Sequence, residues 1–460
     1  MKKLPVSLQL LYGIGVSYAV FDQIFAQWVL TYYLPPERFS FRPFLSPGFI
    51  ALALVISRIV DMITDPLVGF WSDRVSTRWG RRIPFVFAGT VPLALCAIAF
   101  FYPVKTGGMV SFLYLAATGS LFFTFYTIVG APYNALIPEL SSCRQDRLNL
   151  STWQAVFRLF YTAIAMILPG ILITVLGRGN DERGLRLMVI ILSVFAVAGL
   201  LVTSFTVNER RYSGGKSSDA DFSLSLKTVF HDKAFIYYLG GLLFFFIGFN
   251  ILRASLNYYI IDIMGKSSSS ITIASALLFG VSAVCFVPVN RAAARFGYRK
   301  LMLLFLSMLT IFSLMLFQVA KLLPAGSGFL IFALCGIPVA GAAFIFPPAM
   351  LSEISADVSA RTGRQIEGVF FGIQGFFLKM AFMISIAALP VILVSGGGLS
   401  FAAMLTSVPD KPEISGIYRT ALFAAGFFML SFVFYYIYPE KELMSNKAAD
   451  NAKDAGGVNV

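Results

Sequence analysis

The sequence predicts an all-α polytopic membrane protein with twelve transmembrane helices in two six-helix bundles. Three observations carry this expectation. Apolar residues fill 58% of 460 positions and charged residues only 13%, more apolar side chain than a soluble interior of this size can take in. In lipid every backbone polar group must pair internally, so only helices or a closed barrel qualify, and the apolar runs here are long and lack the alternation of barrel strands. Finally, one basic motif occurs twice, at the same place in each half of the chain.

The apolar segments fall in order near 8–34, 45–72, 84–103, 109–137, 150–177 and 185–207, then near 234–262, 268–290, 299–320, 326–352, 366–396 and 416–438. Each approaches or exceeds the roughly 20 residues a helix needs to cross the hydrocarbon core. The long polar connection divides the chain into an N-terminal bundle (1–207), a cytoplasmic linker (208–233) and a C-terminal bundle (234–438), followed by a polar cytoplasmic tail (439–460) of disordered composition. Gly215-Lys216-Ser217 in the linker lacks the earlier glycine of a phosphate-binding loop, and His231 reads as a solvated linker residue. Met1-Lys2-Lys3 leads into an apolar stretch too long and aromatic for a cleaved signal, hence a signal anchor. Most of the 36 Lys and Arg fall in the connections that become cytoplasmic when both termini are inside, which sets the orientation and gives the net charge of +13 a topological reading. Cys96, Cys143, Cys285 and Cys335 show no metal or redox spacing and are expected as free thiols.

The repeated motif is Arg74-Val-Ser-Thr-Arg78-Trp79-Gly80-Arg81-Arg82 after the second span and Arg291-Ala-Ala-Ala-Arg295-Phe296-Gly297-Tyr298-Arg299 after the eighth. Parallel repeats of this kind suit a two-bundle transporter with alternating access.

Ionisable residues inside a membrane cost about 2.5–3.5 kcal/mol each on insertion scales, so each is a functional candidate. Span 2 carries Ser57-Arg58-Ile-Val-Asp61-Met-Ile-Thr64-Asp65-Pro66. Asp61 and Asp65 lie one turn apart on one helix face. Two such carboxylates repel, and burial disfavours their charged forms, so a bound cation or proton relieves both penalties. Hard-cation coordination needs further oxygens, which Thr64 and an opposing hydroxyl would supply; the alternative is a structural ion pair with Arg58. Lys379, inside span 11 and preceded by Gln374, requires an anionic partner, for which Asp61 or Asp65 is the natural choice. Arg158 and Asp22 form a second pair or face substrate hydroxyls, and Arg253 either faces the interior of its bundle or snorkels outward. At the cytoplasmic ends, Asp73, Arg74, Arg78, Arg81 and Arg82 with Glu139, Arg144, Asp146 and Arg147, and Glu353, Asp357, Arg361, Arg364 and Glu367 in the second half, are candidates for ion pairs that gate one state, or for topology-setting charge alone.

These residues resemble the glycoside–pentoside–hexuronide:cation symporters of the major facilitator superfamily, the group containing the melibiose carriers. The resemblance rests on Tyr12-Gly13-Ile-Gly15; Arg58-x-x-Asp61-x-x-Thr64-Asp65-Pro66-x-x-Gly69; Arg78-Trp79-Gly80-Arg81-Arg82-x-Pro84; Tyr126-Thr127-x-x-x-x-Pro132-Tyr133-x-Ala135-Leu136-x-Pro138-Glu139; and Thr362-Gly363-Arg364-x-x-Glu367-Gly368-x-x-Phe371-Gly372, with Lys379 further along the same span. It implies a major facilitator fold in the plasma (inner) membrane, no cofactor, no enzymatic activity, no nucleic-acid partner, a monomer, and symport of a sugar or related polar solute with H⁺ or Na⁺. It implies that Asp61, Asp65 and Thr127 hold the cation, the two carboxylates being the metal ligands if the ion is Na⁺, with Thr64 where the sodium–galactoside members have Asn. Lys379 and Arg158 match the family's span 11 lysine and span 5 arginine. Asp22, Tyr126, Asn134, Arg158, Gln374 and Lys379 are thus the candidate substrate residues.

Two departures bear on the solute. The galactoside carriers have a sugar-binding Asp where this chain has Gly130, and a stacking aromatic where it has Asn134. Their span 1 Asp corresponds to Val20; Asp22 lies about 200° further round an ideal helix and replaces it only if that helix is irregular. A galactoside is therefore not expected, the missing ligands favour H⁺ or mixed ion use, and a carrier of an amphiphilic or anionic solute, like the lysolipid carriers that share the span 2 signature, is the competing expectation. A membrane-embedded enzyme lacks the acid–histidine cluster or nucleotide loop it would need.

Overall fold

A chain this apolar satisfies its backbone by helices alone, and the computed structural model follows that rule: it describes residues 4–74, 77–106, 108–140, 144–209, 232–362, 367–395, 407–408 and 411–439, and within them regular structure is helical apart from two isolated bridges. Ten helices are long and apolar enough to cross a membrane, and Ile83–Ala99 is a shorter apolar one. The protein is an integral membrane protein of the expected all-α class.

The first traverse is irregular. It runs α1 (Val6–Ile14), a 3-10 turn (Gly15–Tyr18), α2 (Ala19–Ile24), a π turn (Phe25–Val29) and α3 (Leu30–Tyr33). The next five are α4 (Pro47–Arg74), α5 (Ile83–Ala99), α6 (Gly108–Leu140), α7 (Arg144–Gly177) and α8 (Asp181–Thr206). α9 (Lys233–Tyr258) ends in a π turn (Tyr259–Ile263), and α10 (Ser269–Phe296) and α11 (Tyr298–Gln318) come next. α12 (Ser327–Val339) continues through a π turn (Ala340–Ile345), just after Pro338, into α13 (Phe346–Thr362); α14 (Glu367–Val394) and α15 (Ile414–Ile437) complete the order. The twelve expected spans lie within these bounds to a few residues. α5 stops at Ala99, short of the expected 103, because tight turns (Phe101 N to Ile98 O and Tyr102 N to Ala99 O, both 3.0 Å) close it ahead of Pro103. α13 runs ten residues past 352 because its polar end keeps helical bonds after the apolar run is exhausted.

The repeated basic motif has a repeated backbone. Gly80, before α5, has φ +115°, and Gly297, which caps α11, has φ +84°, both in the region that favours glycine. Each motif joins two successive helices, α4 to α5 and α10 to α11.

By proximity the residues group into two units. One gathers Met1–Ser217, Arg253–Ala276 and Ile386–Ile417; the other gathers Ser218–Leu252, Leu277–Ser385 and Tyr418–Val460. In the first, α4 packs along α6, α5 joins α6 and α8, and α7 lies against α1 and α8. Two devices set these contacts. Gly119 on α6 has Ser57 of α4 so close that a Cβ would collide with its hydroxyl. Tyr12 and Tyr133 stack in parallel at 4.7 Å, and each hydroxyl donates to the other's backbone carbonyl (3.3 and 2.6 Å), pinning α1 to α6. In the second unit α11 and α12 pack together, and Tyr238 donates to the Pro347 carbonyl. The described cysteines, Cys96, Cys285 and Cys335, are free thiols as expected, and Cys143 lies outside the described residues.

Candidate cation-coupling site

Because α4 is a continuous helix through its middle, residues 57, 58, 61, 64 and 65 recur on its inward side, and the close approach at Gly119 brings α6 alongside. Two helical turns beyond Gly119, Thr127 reaches the carboxylates. Its hydroxyl lies 3.2 Å from Asp61 Oδ1 and 3.0 Å from Asp65 Oδ1. One proton serves one acceptor at a time, so the hydroxyl bridges two acidic groups. Asp61 is 1% exposed and Asp65 is half-buried. Thr64 turns its hydroxyl back to the Asp61 carbonyl (3.1 Å), so its proton is used within the helix. Among the described residues no group of three or more His, Cys, Asp or Glu is arranged to hold a metal; the pair and Thr127 are a sparse oxygen set.

Arg58 lies over the site from one turn earlier. Its Nη1 donates to Asp61 Oδ2 at 3.2 Å and its Nη2 pairs with Asp22 Oδ1 at 3.5 Å. The guanidinium sits 4.0 Å from the ring centre of Phe123 and 5.1 Å from that of Phe25, so aromatic faces replace water around a buried cation. The structural ion pair with Arg58, the alternative to a cation site, is therefore present for Asp61 alongside the Thr127 bridge.

The candidate substrate residues separate into two groups. In the first unit Tyr126 and Arg158 gather on Tyr18, while Asn134 is exposed and Asp22 turns to Arg58. Arg158 donates to the Tyr18 hydroxyl (2.9 Å), Tyr126 meets the Tyr18 ring edge-on at 5.4 Å, and Asn134 accepts from Gln154 (2.6 Å). Asp22 pairs with Arg58; the pairing with Arg158 expected from sequence is not the one formed. In the second unit Gln374 is buried and donates to the Tyr238 hydroxyl (3.0 Å), which ties α14 to α9, while Lys379 is half-buried on the same helix.

At the end of α4 the basic turn has an acceptor that sequence reasoning missed. Glu209, 1% exposed and just beyond α8, accepts from the backbone N–H groups of Arg81 (2.8 Å), Arg82 (2.8 Å) and Ile83 (3.2 Å) at the start of α5. The Arg82 guanidinium donates to Ser72 Oγ (2.5 Å), and Arg78 is exposed. In the second unit Arg361 pairs with Asp357 (2.6 Å) and Asp232 (2.7 Å). Arg364, and the side chains of Asp73, Arg74, Glu139, Arg144, Arg147 and Glu367, lie outside the described residues, as do His231, most of the linker and nearly all of the tail.

The profile of the MFS/sugar transport protein family matches residues 11–442. The chain belongs to that family. Among curated relatives it is 25% identical over 406 residues to the putative glycoside/cation symporter YagG of Escherichia coli (strain K12), covering 85% of this chain and 84% of that one. It is 29% identical over 212 residues to the inner membrane symporter YicJ of the same organism, a match spanning 45% of this chain and 44% of YicJ. A sodium-dependent lysophosphatidylcholine symporter 1-A of Danio rerio is 24% identical over 404 residues, 79% of this chain and 73% of that protein. The resemblance to glycoside–pentoside–hexuronide:cation symporters holds, and the chain is a transporter, not an enzyme. A bacterial homologue of the human lysosomal transporter Spinster shares the fold, with TM-score 0.69 at 13% identity over 96% of this chain and 97% of that one; the nucleoside transporter NupG does so at 0.64, 11% identity, 95% and 100%.

The first traverse is irregular, though by less than Asp22 would need to replace the family's Asp. A 3-10 helix winds about 120° per residue against about 100° in an α-helix, so the four residues Gly15–Tyr18 rotate the remainder of the traverse about 80° further, and Asp22 stays about 80° from the direction an ideal helix gives Val20. Val20 is fully buried, while Asp22 emerges beside Arg58 with its side chain 31% exposed. At Gly130, where the galactoside carriers place a carboxylate, a Cβ would meet the Tyr18 ring at an ordinary 3.4 Å. Glu209 belongs to an Asn-Glu-Arg-Arg run that looked like the start of a linker; its partners are backbone N–H groups, which leave no trace in a side-chain pattern.

Proposed function

We propose that this family member couples uptake of a small polar solute, a sugar, glycoside or related compound, to a monovalent cation or proton bound at Asp61, Asp65 and Thr127. The observation that carries the reading is the Thr127 hydroxyl held between two carboxylates on a neighbouring helix. Carboxylates at this depth in a membrane protein gain from a bound positive charge, and a site made of oxygens from two helices changes its shape when those helices move. The Arg58 bridge supplies a route from that charge to Asp22. We propose further that the protein acts as a monomer in the plasma (inner) membrane with both termini cytoplasmic. On the same reading the basic turn capped by Glu209 latches one conformation, and the N- and C-terminal six-helix segments (1–207 and 234–438) alternate about the linker. Lys379 is assigned to solute or ion recognition on the second half.

The test is accumulation of labelled sugars in vesicles under an imposed Na⁺ or pH gradient. Asp61→Asn and Asp65→Asn are each expected to abolish gradient-driven accumulation; intact accumulation in both variants overturns the coupling assignment. Uptake of lysophosphatidylcholine, which the zebrafish relative's name attributes to that protein, in place of sugars selects the amphiphilic alternative.

A further inference from the structure

The two copies of the basic motif are filled differently. The first takes in the Glu209 carboxylate. The second opens on a cavity of about 600 Å³ within the second unit, whose lining includes Arg295, Phe296, Arg299, Lys300, Glu353 and Tyr436. Those six side chains bring three positive charges against one negative. Arg295 and Lys300 are exposed, and the Arg295 guanidinium lies 5.5 Å from the ring centre of Phe296. Arg299 donates from Nε to the Tyr435 carbonyl (3.2 Å) and from Nη2 to the Tyr436 carbonyl, which ties the start of α11 to the end of α15.

The place of this cavity narrows what it can hold. α10 ends at Phe296, α11 begins at Tyr298 and α15 ends at Ile437, so the cations sit where three apolar helices leave the hydrocarbon. On α11 the exposed residues Lys300, Leu304 and Ile311 recur on one face, and on α15 the exposed residues Met429, Val433 and Tyr436 do the same. Each stripe is apolar along the helix and reaches the cavity only at its end. A soluble anion gains nothing from the stripes, and an uncharged lipid gains nothing from the cations. An anionic phospholipid uses both.

We propose that this cavity is a binding site for the phosphodiester headgroup of an anionic phospholipid, with Arg295 and Lys300 on the phosphate and the acyl chains laid along the α11 and α15 stripes. The Arg295 guanidinium matches two phosphate oxygens at once, and the Lys300 ammonium adds a mobile point charge. Basic pockets at the membrane surface draw anionic headgroups in this way. Arg299, bonded to the α15 carbonyls, keeps the two walls together, so the lipid joins the α10–α11 turn to the end of α15. The site shares no residue with Asp61, Asp65 and Thr127, and it holds whichever ion and solute are carried.

The experiment uses the purified full-length protein, with retained phosphatidylglycerol and phosphatidylcholine counted by native mass spectrometry. A Phe296→Trp reporter in nanodiscs adds a local reading, through quenching by brominated chains of either lipid. Phosphatidylglycerol is expected to be retained over phosphatidylcholine and to quench the added tryptophan more at equal mole fraction. Arg295→Gln and Lys300→Gln are each expected to weaken retention about fivefold, the usual effect of one basic residue at an anionic surface. Arg295→Lys with Lys300→Arg keeps the charge and most of the retention, and Arg183→Gln, an exposed arginine of the first unit, leaves it unchanged. Equal retention and equal quenching by the two lipids in the wild-type and reporter proteins overturn the proposal without recourse to a charge variant. So does a loss in Arg183→Gln as large as that in Arg295→Gln, which marks general attraction to the surface. Displacement of phosphatidylglycerol by inorganic phosphate or glycerol 3-phosphate at equal concentration also overturns it, because the cavity is then a site for free phosphate.

Discussion

Replacing Thr127 by valine keeps the shape of the side chain and removes a hydroxyl that touches both carboxylates, at 3.2 and 3.0 Å. A hydrogen bond to a charged group contributes about 1.5–3 kcal/mol, which at 1.4 kcal/mol per tenfold corresponds to about a ten- to 150-fold change in cation affinity. The direction depends on the ion. For Na⁺ the hydroxyl oxygen is a ligand, and losing it raises the half-saturating Na⁺ concentration by that factor. For H⁺ the hydroxyl stabilises the ionised carboxylates that a proton must neutralise, so losing it lowers the half-saturating proton concentration by a similar factor. Solute uptake into proteoliposomes, titrated separately with Na⁺ at fixed pH and with pH in the absence of Na⁺, reads both. Thr127→Ser restores wild-type behaviour because it returns the oxygen. Half-saturation within twofold of wild type in both titrations, with the variant folded and inserted, refutes the role given to Thr127.

The same geometry sets three other outcomes. Gly119→Ala drives a methyl group into Ser57 and forces α4 and α6 apart, an overpacking cost of about 1–3 kcal/mol, and lowers cation affinity in the uptake titration. Gly130→Ala, whose new methyl meets Tyr18 at 3.4 Å, leaves cation affinity unchanged in the same titration. Glu209→Gln replaces a carboxylate that accepts three backbone N–H groups by an amide with one acceptor oxygen; a loss of about 1.5–3 kcal/mol lowers the thermal unfolding temperature in detergent, and Glu209→Asp recovers part of it.

The helical fold was legible because hydropathy is a direct record of the solvent each residue meets, and a run long enough to span lipid has few other structural options. The carboxylate pair was legible for a related reason: a spacing of four places two side chains on one face whatever the tertiary structure. Thr127 was reachable only through resemblance, since nothing in its own helix distinguishes it from Thr124, which bonds back to the Ser120 carbonyl. The pairing of Asp22 with Arg58 was hidden by the winding of the first traverse, which periodicity treats as uniform. Gln374 entered as a candidate through its place ahead of Lys379 on one span; its bond to Tyr238, 136 positions away, is a long-range pairing that spacing does not encode.

The first traverse contains two winding defects of opposite sign. The 3-10 turn at Gly15–Tyr18 overwinds the helix, and the π turn at Phe25–Val29 unwinds it again. Between them, Ala19–Ile24 forms an island whose azimuth is set apart from both ends of the same helix. Tyr12 on one side keeps its clasp with Tyr133, and Thr31 on the other keeps its bond to the Gln27 carbonyl, while Asp22 and Gln23 are presented at an angle that neither end dictates. A rotation confined to six residues re-aims two polar groups without re-laying the helix in its bundle.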